Sequence, residues 1–214
     1  MHRLSGWGIP VALLLLSVVP ILAGFVRLEQ IFNGVVTAEN ARFLGSPLPG
    51  SLHIIAVMLF SLLGALQFAP RLRRAFPRWH RRAGRVVVPA GLVAALTGLW
   101  MAHFYALPPT DGVALYYTRM VVGVWMIFAL CRGYIAVRRR AFGSHQDWML
   151  RGYAIGLGAG TQVLTSVPYF IVVGQPDTGM RAVLIGLGWA INFVFAEWII
   201  YRRHGPTAMV ARAL

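Results

Sequence analysis

Four of the chain's six histidines stand where an imidazole can bind a ligand. His53 lies near the start of one apolar run, and His103 near the end of the next. If those runs are adjacent antiparallel helices, the two rings sit at one depth. Two imidazoles so placed can ligate a haem b iron axially, or hold a transition metal. A metal needs further ligands, and Tyr105, Asp111, Tyr116 and Tyr117 are within reach. Arg119 enters the same layer about two turns inside the following apolar run. An arginine at that depth is costly unless it snorkels or finds a partner. Asp111, a haem propionate or a substrate carboxylate can serve.

His80 and His145 form a second layer at the other end of the spans. Ser144 to Asp147 reads as a helix N-cap with an acid three residues on, a variant of the capping box. Pro77 similarly opens the helix that carries His80. Both rings then fall in a first helical turn, where the helix dipole disfavours imidazolium and favours anions. This layer suits neutral imidazole ligands, or an anionic head group held with the surrounding arginines. His2 and His204 read as solvated termini. Taken singly, each histidine is an ordinary polar side chain at a membrane interface. The matched depths are what raise the pairs above that.

The remaining polar residues within spans are few. Glu197 is the one acid inside an apolar run, and Arg151 or Arg202 can pair with it. Gln67, Thr161, Gln162, Thr165 and Asn192 suit hydrogen bonding between helices. Cys131 reads as a small buried residue. The chain has no P-loop, G-x-S-x-G, H-E-x-x-H or C-x-x-C-H motif, and no paired carboxylates or Ser/His/Asp set, which disfavours hydrolysis.

These residues are carried by a very apolar chain. Of 214 residues, 58% are hydrophobic and 12% charged, about half the charged share of a soluble domain. One helical crossing of a bilayer takes about 20 apolar residues. Six runs of that kind occur, over about 7–26, 51–70, 86–105, 113–137, 152–173 and 182–201. The expected fold is therefore all-α, a single polytopic transmembrane bundle of six spans. The net charge is +14, and all 20 basic residues are arginine. Seven lie in 71–85, three in 138–147 and three after Tyr201, whereas the other connections hold only Arg27, Arg42 and Arg181. The arginines are explained by topology, not nucleic acid. The positive-inside rule then places both ends in the cytoplasm of a bacterial inner membrane, N-in and C-in. Anionic head groups at the cytoplasmic face are the expected lipid partners.

The 27–50 connection is long enough to serve as a lid or binding loop, with a short surface helix over Thr37–Leu44. Gly152, Gly156 and Gly160 recur at four-residue spacing, a pattern that lets helices approach closely in lipid or leaves a narrow cofactor cleft.

The run His53…Gly64-Ala-Leu-Gln67-Phe…Pro70-Arg-Leu-Arg73…Pro77-Arg-Trp-His80-Arg81…Gly84-Arg85-Val resembles a bacterial family of predicted membrane proteins, domain of unknown function 2306. His145-Gln-Asp-Trp148-Met149-Leu-Arg151 resembles that family's second signature. The likeness covers about residues 50 to 200. It implies a membrane bundle and marks His53, Gln67, His80, Arg81, His145, Trp148 and Arg151 for attention. The layered histidines are similar, in arrangement only, to di-haem cytochromes of the b561 type. Two functions are therefore expected as alternatives. One is a haem- or metal-binding redox protein that exchanges electrons with a membrane quinone. The other is a non-enzymatic protein that binds an anionic lipid or amphiphile, or assists assembly of another complex.

Overall fold

The computed structural model describes residues 7–34 and 36–213, with side chains as far as residue 205. His2 lies outside them. Every regular element among the described residues is a helix. The first are α1 (Gly8–Asn33), α2 (Ala41–Gly45), α3 (Pro47–Gln67), α4 (Pro70–Ala75) and α5 (Pro77–Phe104). They are followed by α6 (Val113–Arg138), α7 (Phe142–Gly156), α8 (Gly158–Val172) and α9 (Thr178–Ala213). Six helical segments are long and apolar enough to cross a membrane: α1, α3, α5, α6, α7 with α8, and α9 as far as Gly205. The six-span helical reading of the sequence is therefore correct.

Prolines start three of these helices. Pro47, Pro70 and Pro77 stand in the first turns of α3, α4 and α5, where the missing N–H would have had no partner. α5 packs along α3, α6 along α7, and α8 along α9, while α1 closes the side against α3 and α8. Burial is inverted relative to a soluble protein. Ala65, Ala129 and Ala196 are buried, whereas Leu15, Val121, Val172 and Val194 face outward. Lipid is as apolar as leucine, so helices in it associate through small residues and close backbones. The few large core groups, Phe60, Leu130 and Tyr153 among them, fit because glycines face them. A Cβ on Gly64 would collide with the Tyr153 ring. Tyr153 in turn donates its hydroxyl proton to the Ser61 carbonyl at 2.8 Å. The Gly152, Gly156 and Gly160 stripe serves three different neighbours, facing Leu130 of α6, Phe60 of α3 and the Leu16 backbone of α1.

Several local expectations are corrected. The 27–50 connection is shorter than it reads, because α1 continues through Arg27 and Glu29 to Asn33. The surface helix within it is confined to α2. The arginine-rich stretch 71–85 is almost wholly helical, divided between α4 and the first turns of α5. Ser144 caps nothing, since α7 already starts at Phe142. Asp147 instead accepts from His204 Nε2 at 2.8 Å and lies 3.2 Å from Arg203 Nη1. His204 is thus tied to α7 and is not a solvated terminus. Cys131 is exposed on the outside of α6, where a thiol is apolar enough to meet lipid.

Candidate functional site

The connections 36–46, 105–112 and 173–177 meet at one end of the bundle, opposite the end that carries α4. Asp111 organises them. It closes a turn, with its N–H donating to the Pro108 carbonyl at 2.8 Å, and its side chain is only 3% exposed. Arg181, in the first turns of α9, donates from Nε to Asp111 Oδ1 at 2.5 Å. Arg119 of α6 brings Nη1 to 2.8 Å from Asp111 Oδ2. Asp111 is thus one of the three partners named from the sequence for Arg119. That ion pair is close but poorly directed, and Nη1 makes no hydrogen bond.

A third guanidinium lies near. Arg42 of α2 is half-buried, and its Nε has no hydrogen-bond acceptor among the described residues. Burial weighs against the Arg42 charge; Asp111 opposes that effect, while Arg27, Arg119 and Arg181 add to it. Burial pushes the Asp111 carboxyl up, but the Arg181 hydrogen bond and the charges of Arg119 and Arg181 prevail and hold it below the usual carboxylate range. Three cations therefore share one anion. α2 is held in place by rings: Phe43 lies under Arg27 and Arg42, with guanidinium-to-centroid distances of 4.7 and 5.1 Å. Phe43 meets Tyr105 edge-on at 5.3 Å. The Tyr105 hydroxyl donates to the Ser46 carbonyl at 2.6 Å and accepts from the Gly50 N–H at 3.1 Å.

Beneath this cluster a cavity of about 380 Å³ enters the bundle. Arg42, Asp111, Arg119 and Arg181 line its head, and Phe60, Met126, Ile155 and Trp189 line its apolar depth. Gly98, Gly123, Gly156 and Ala159 are also in its wall. His53 is in the wall too. Its Nδ1 lies 2.9 Å from the Ala94 carbonyl oxygen and 3.1 Å from Thr97 Oγ1. Thr97 gives its own proton to the Val93 carbonyl at 2.6 Å.

His103 does not join His53. It lies five residues past Gly98, whose added Cβ would come within 3.2 Å of His53 Cε1. At 100° per residue this turns His103 about 140° away from the face that meets α3. It is exposed, and its Nδ1 contacts the Tyr116 hydroxyl at 3.0 Å. The two histidines expected to share a haem or metal therefore have different neighbours. No group of three or more His, Cys, Asp or Glu side chains suited to a metal ion occurs among the described residues.

At the α4 end the marked residues divide. Gln67 reaches from α3 towards Gly84 of α5, with its Nε2 buried and unpartnered. His80 sits one turn before Gly84, and its Nδ1 is also buried without a partner. These two share the α3–α5 seam. His145 Nδ1 lies 2.9 Å from the Gly133 carbonyl of α6. Arg151 pairs with Glu197 and stacks on Trp148 at 4.7 Å. No hydrogen bond joins His80 to His145 among the described residues.

The stretch that spans both marked segments, residues 50–200, matches the family model of predicted membrane proteins DUF2306. The chain belongs to that family. No curated protein and no solved structure matches. In this DUF2306 protein the first signature carries the α3–α5 seam, with His53 at one end of it and Gln67 and His80 at the other. The second carries α7, with Arg151 and Trp148 bracing α9 and α6. The sequence did not single out Arg42 and Arg181 as site residues. Each reads as a topological arginine, and only the folded connections bring both to Asp111.

Proposed function

We propose that this DUF2306 protein binds an anionic amphiphile in the cavity between α3, α5, α6, α7–α8 and α9. The head sits among Arg42, Arg119 and Arg181, and the apolar part lies against Phe60, Met126 and Trp189. One observation carries the reading. Arg42 Nε, buried and without an acceptor among the described residues, lines the same cavity as Arg119 and Arg181, which share the single carboxylate of Asp111. A buried donor on a cation is costly to leave unpaired, and an anionic head satisfies it. Two positive charges remain beyond the one that Asp111 neutralises, which suits a phosphate or carboxylate head.

The arginine count favours a bacterial inner membrane, with both termini cytoplasmic and the cavity head on the outer side. The ligand then enters from the outer half of the bilayer. The haem reading loses its ligand pair, because His53 and His103 point at different neighbours.

Protein purified in mild detergent and offered equimolar phosphatidylglycerol and phosphatidylcholine tests this by native mass spectrometry. The expected result is preferential retention of the anionic lipid. Arg42→Gln and Arg119→Gln should each weaken it about tenfold, the effect of one charged hydrogen bond. Equal retention of both lipids by wild-type protein defeats the proposal.

A further inference from the structure

The tautomer of His53 says more about the occupant. The Ala94 carbonyl oxygen can only accept, so the proton of the neutral ring must lie on Nδ1. Thr97 Oγ1 has backbone carbonyls of its own to donate to, Val93 at 2.6 Å and Ala94 at 3.2 Å, which leaves it free to accept from Nδ1. The Nε2 lone pair is then bare, and no hydrogen bond to it occurs among the described residues. A ring held this way by a backbone carbonyl presents Nε2 as an oriented acceptor.

Depth makes the acceptor useful. His53 is six residues beyond Pro47 in α3, and Arg119 is six beyond Val113 in α6. Both helices start at the Asp111 end, so each side chain is rooted about 9 Å along its helix. Both also line the cavity, so one polar head can meet both. Gly98 of α5 leaves room for the ring itself, since a Cβ there would crowd it.

Building on the proposed amphiphile site, we infer that the occupant's head carries a hydroxyl beside its anionic group, and that His53 Nε2 accepts from it. Arg42 and Arg119 recognise charge, whereas His53 recognises the donor. Lipids with a glycerol phosphate head have both features.

Phosphatidylglycerol and phosphatidylmethanol carry the same charge, but only the first has a head-group hydroxyl. Wild-type protein should retain phosphatidylglycerol about tenfold better in competition, the effect of one buried hydrogen bond. His53→Phe keeps the ring volume and removes the acceptor. It should retain both lipids equally, at the wild-type level for phosphatidylmethanol. His53→Gln offers an amide to Ala94 and an oxygen to the ligand, so part of the preference should return. Equal retention by wild type, or a preference unchanged in His53→Phe, overturns the inference while leaving the anionic site intact. If neither lipid outcompetes phosphatidylcholine, the amphiphile site itself fails.

Discussion

Arg151 meets Glu197 through two parallel contacts, Nε to Oε1 at 2.5 Å and Nη2 to Oε2 at 2.8 Å, joining α7 to α9. The side chains are 17% and 31% exposed. Losing one partner leaves a partly buried charge unmatched. Glu197→Gln should therefore destabilise the protein by about 2 kcal/mol, between the surface and buried limits for ion pairs. Thermal unfolding in detergent measures it. The swapped pair Arg151→Glu with Glu197→Arg should recover part of the loss, and no recovery would place the defect in packing against Trp148.

Asp111 gives stability a pH dependence. Its carboxyl is held below the usual range, so the folded state gains stability above the unfolded value of about 4. That gain is lost as pH falls from about 4 through the lower folded value. Melting temperature should hold steady for this group from pH 7 to about 5 and decline below 4. Asp111→Asn should melt lower at pH 7 and show a shallower acid decline. An identical acid decline in wild type and variant would rule Asp111 out as its source.

Gln67 gives the opposite sign. Its buried Nε2 has no acceptor among the described residues, and an unmatched buried donor costs about 1–3 kcal/mol. Gln67→Leu should be neutral or raise the melting temperature by a few degrees. A clear fall would mean that the amide holds a ligand or ordered water on the α3–α5 seam.

The topology predicted by the arginine count is open to direct labelling. A cysteine at Glu39, in a Cys131→Ser background, should react with a membrane-impermeant maleimide in intact cells. One at Arg74 should react only after lysis. The reverse pattern would invert the proposed orientation and place the cavity head in the cytoplasm.

All seven arginines of α4 and early α5 are exposed. They should hold anionic lipid at about 1 kcal/mol each, and added salt should weaken the hold because exposed charge is screened within about 8 Å. Vesicle flotation over a salt series reads this out. The deeper cavity should be far less sensitive to salt, so a single common salt dependence would contradict two separate sites.

The spans were legible because a bilayer imposes one strong rule, about 20 apolar residues per crossing. Their ends were less so: α5 begins at Pro77, well before its apolar run, because arginines extend a helix as readily as leucine does. Of the candidate site, Arg119 and Asp111 were visible together, since they are close in sequence. Arg42 and Arg181 were hidden because their link to Asp111 depends on three connections folding together. His53 and His103 matched in depth but not in azimuth, and depth is all that span boundaries disclose.

The alanine and glycine interior predicts which substitutions this protein tolerates. A soluble domain suffers most when large core residues are trimmed. Here the sensitive direction is growth. At Gly160 one methyl would press on the Leu16 backbone, and at Gly64 on the Tyr153 ring. Outward leucines and valines such as Leu15 and Val194 have only lipid to fill, so shortening them leaves no void. A systematic mutational scan should therefore record its sharpest fitness losses at the smallest residues in the chain and its widest latitude at many of the bulkiest.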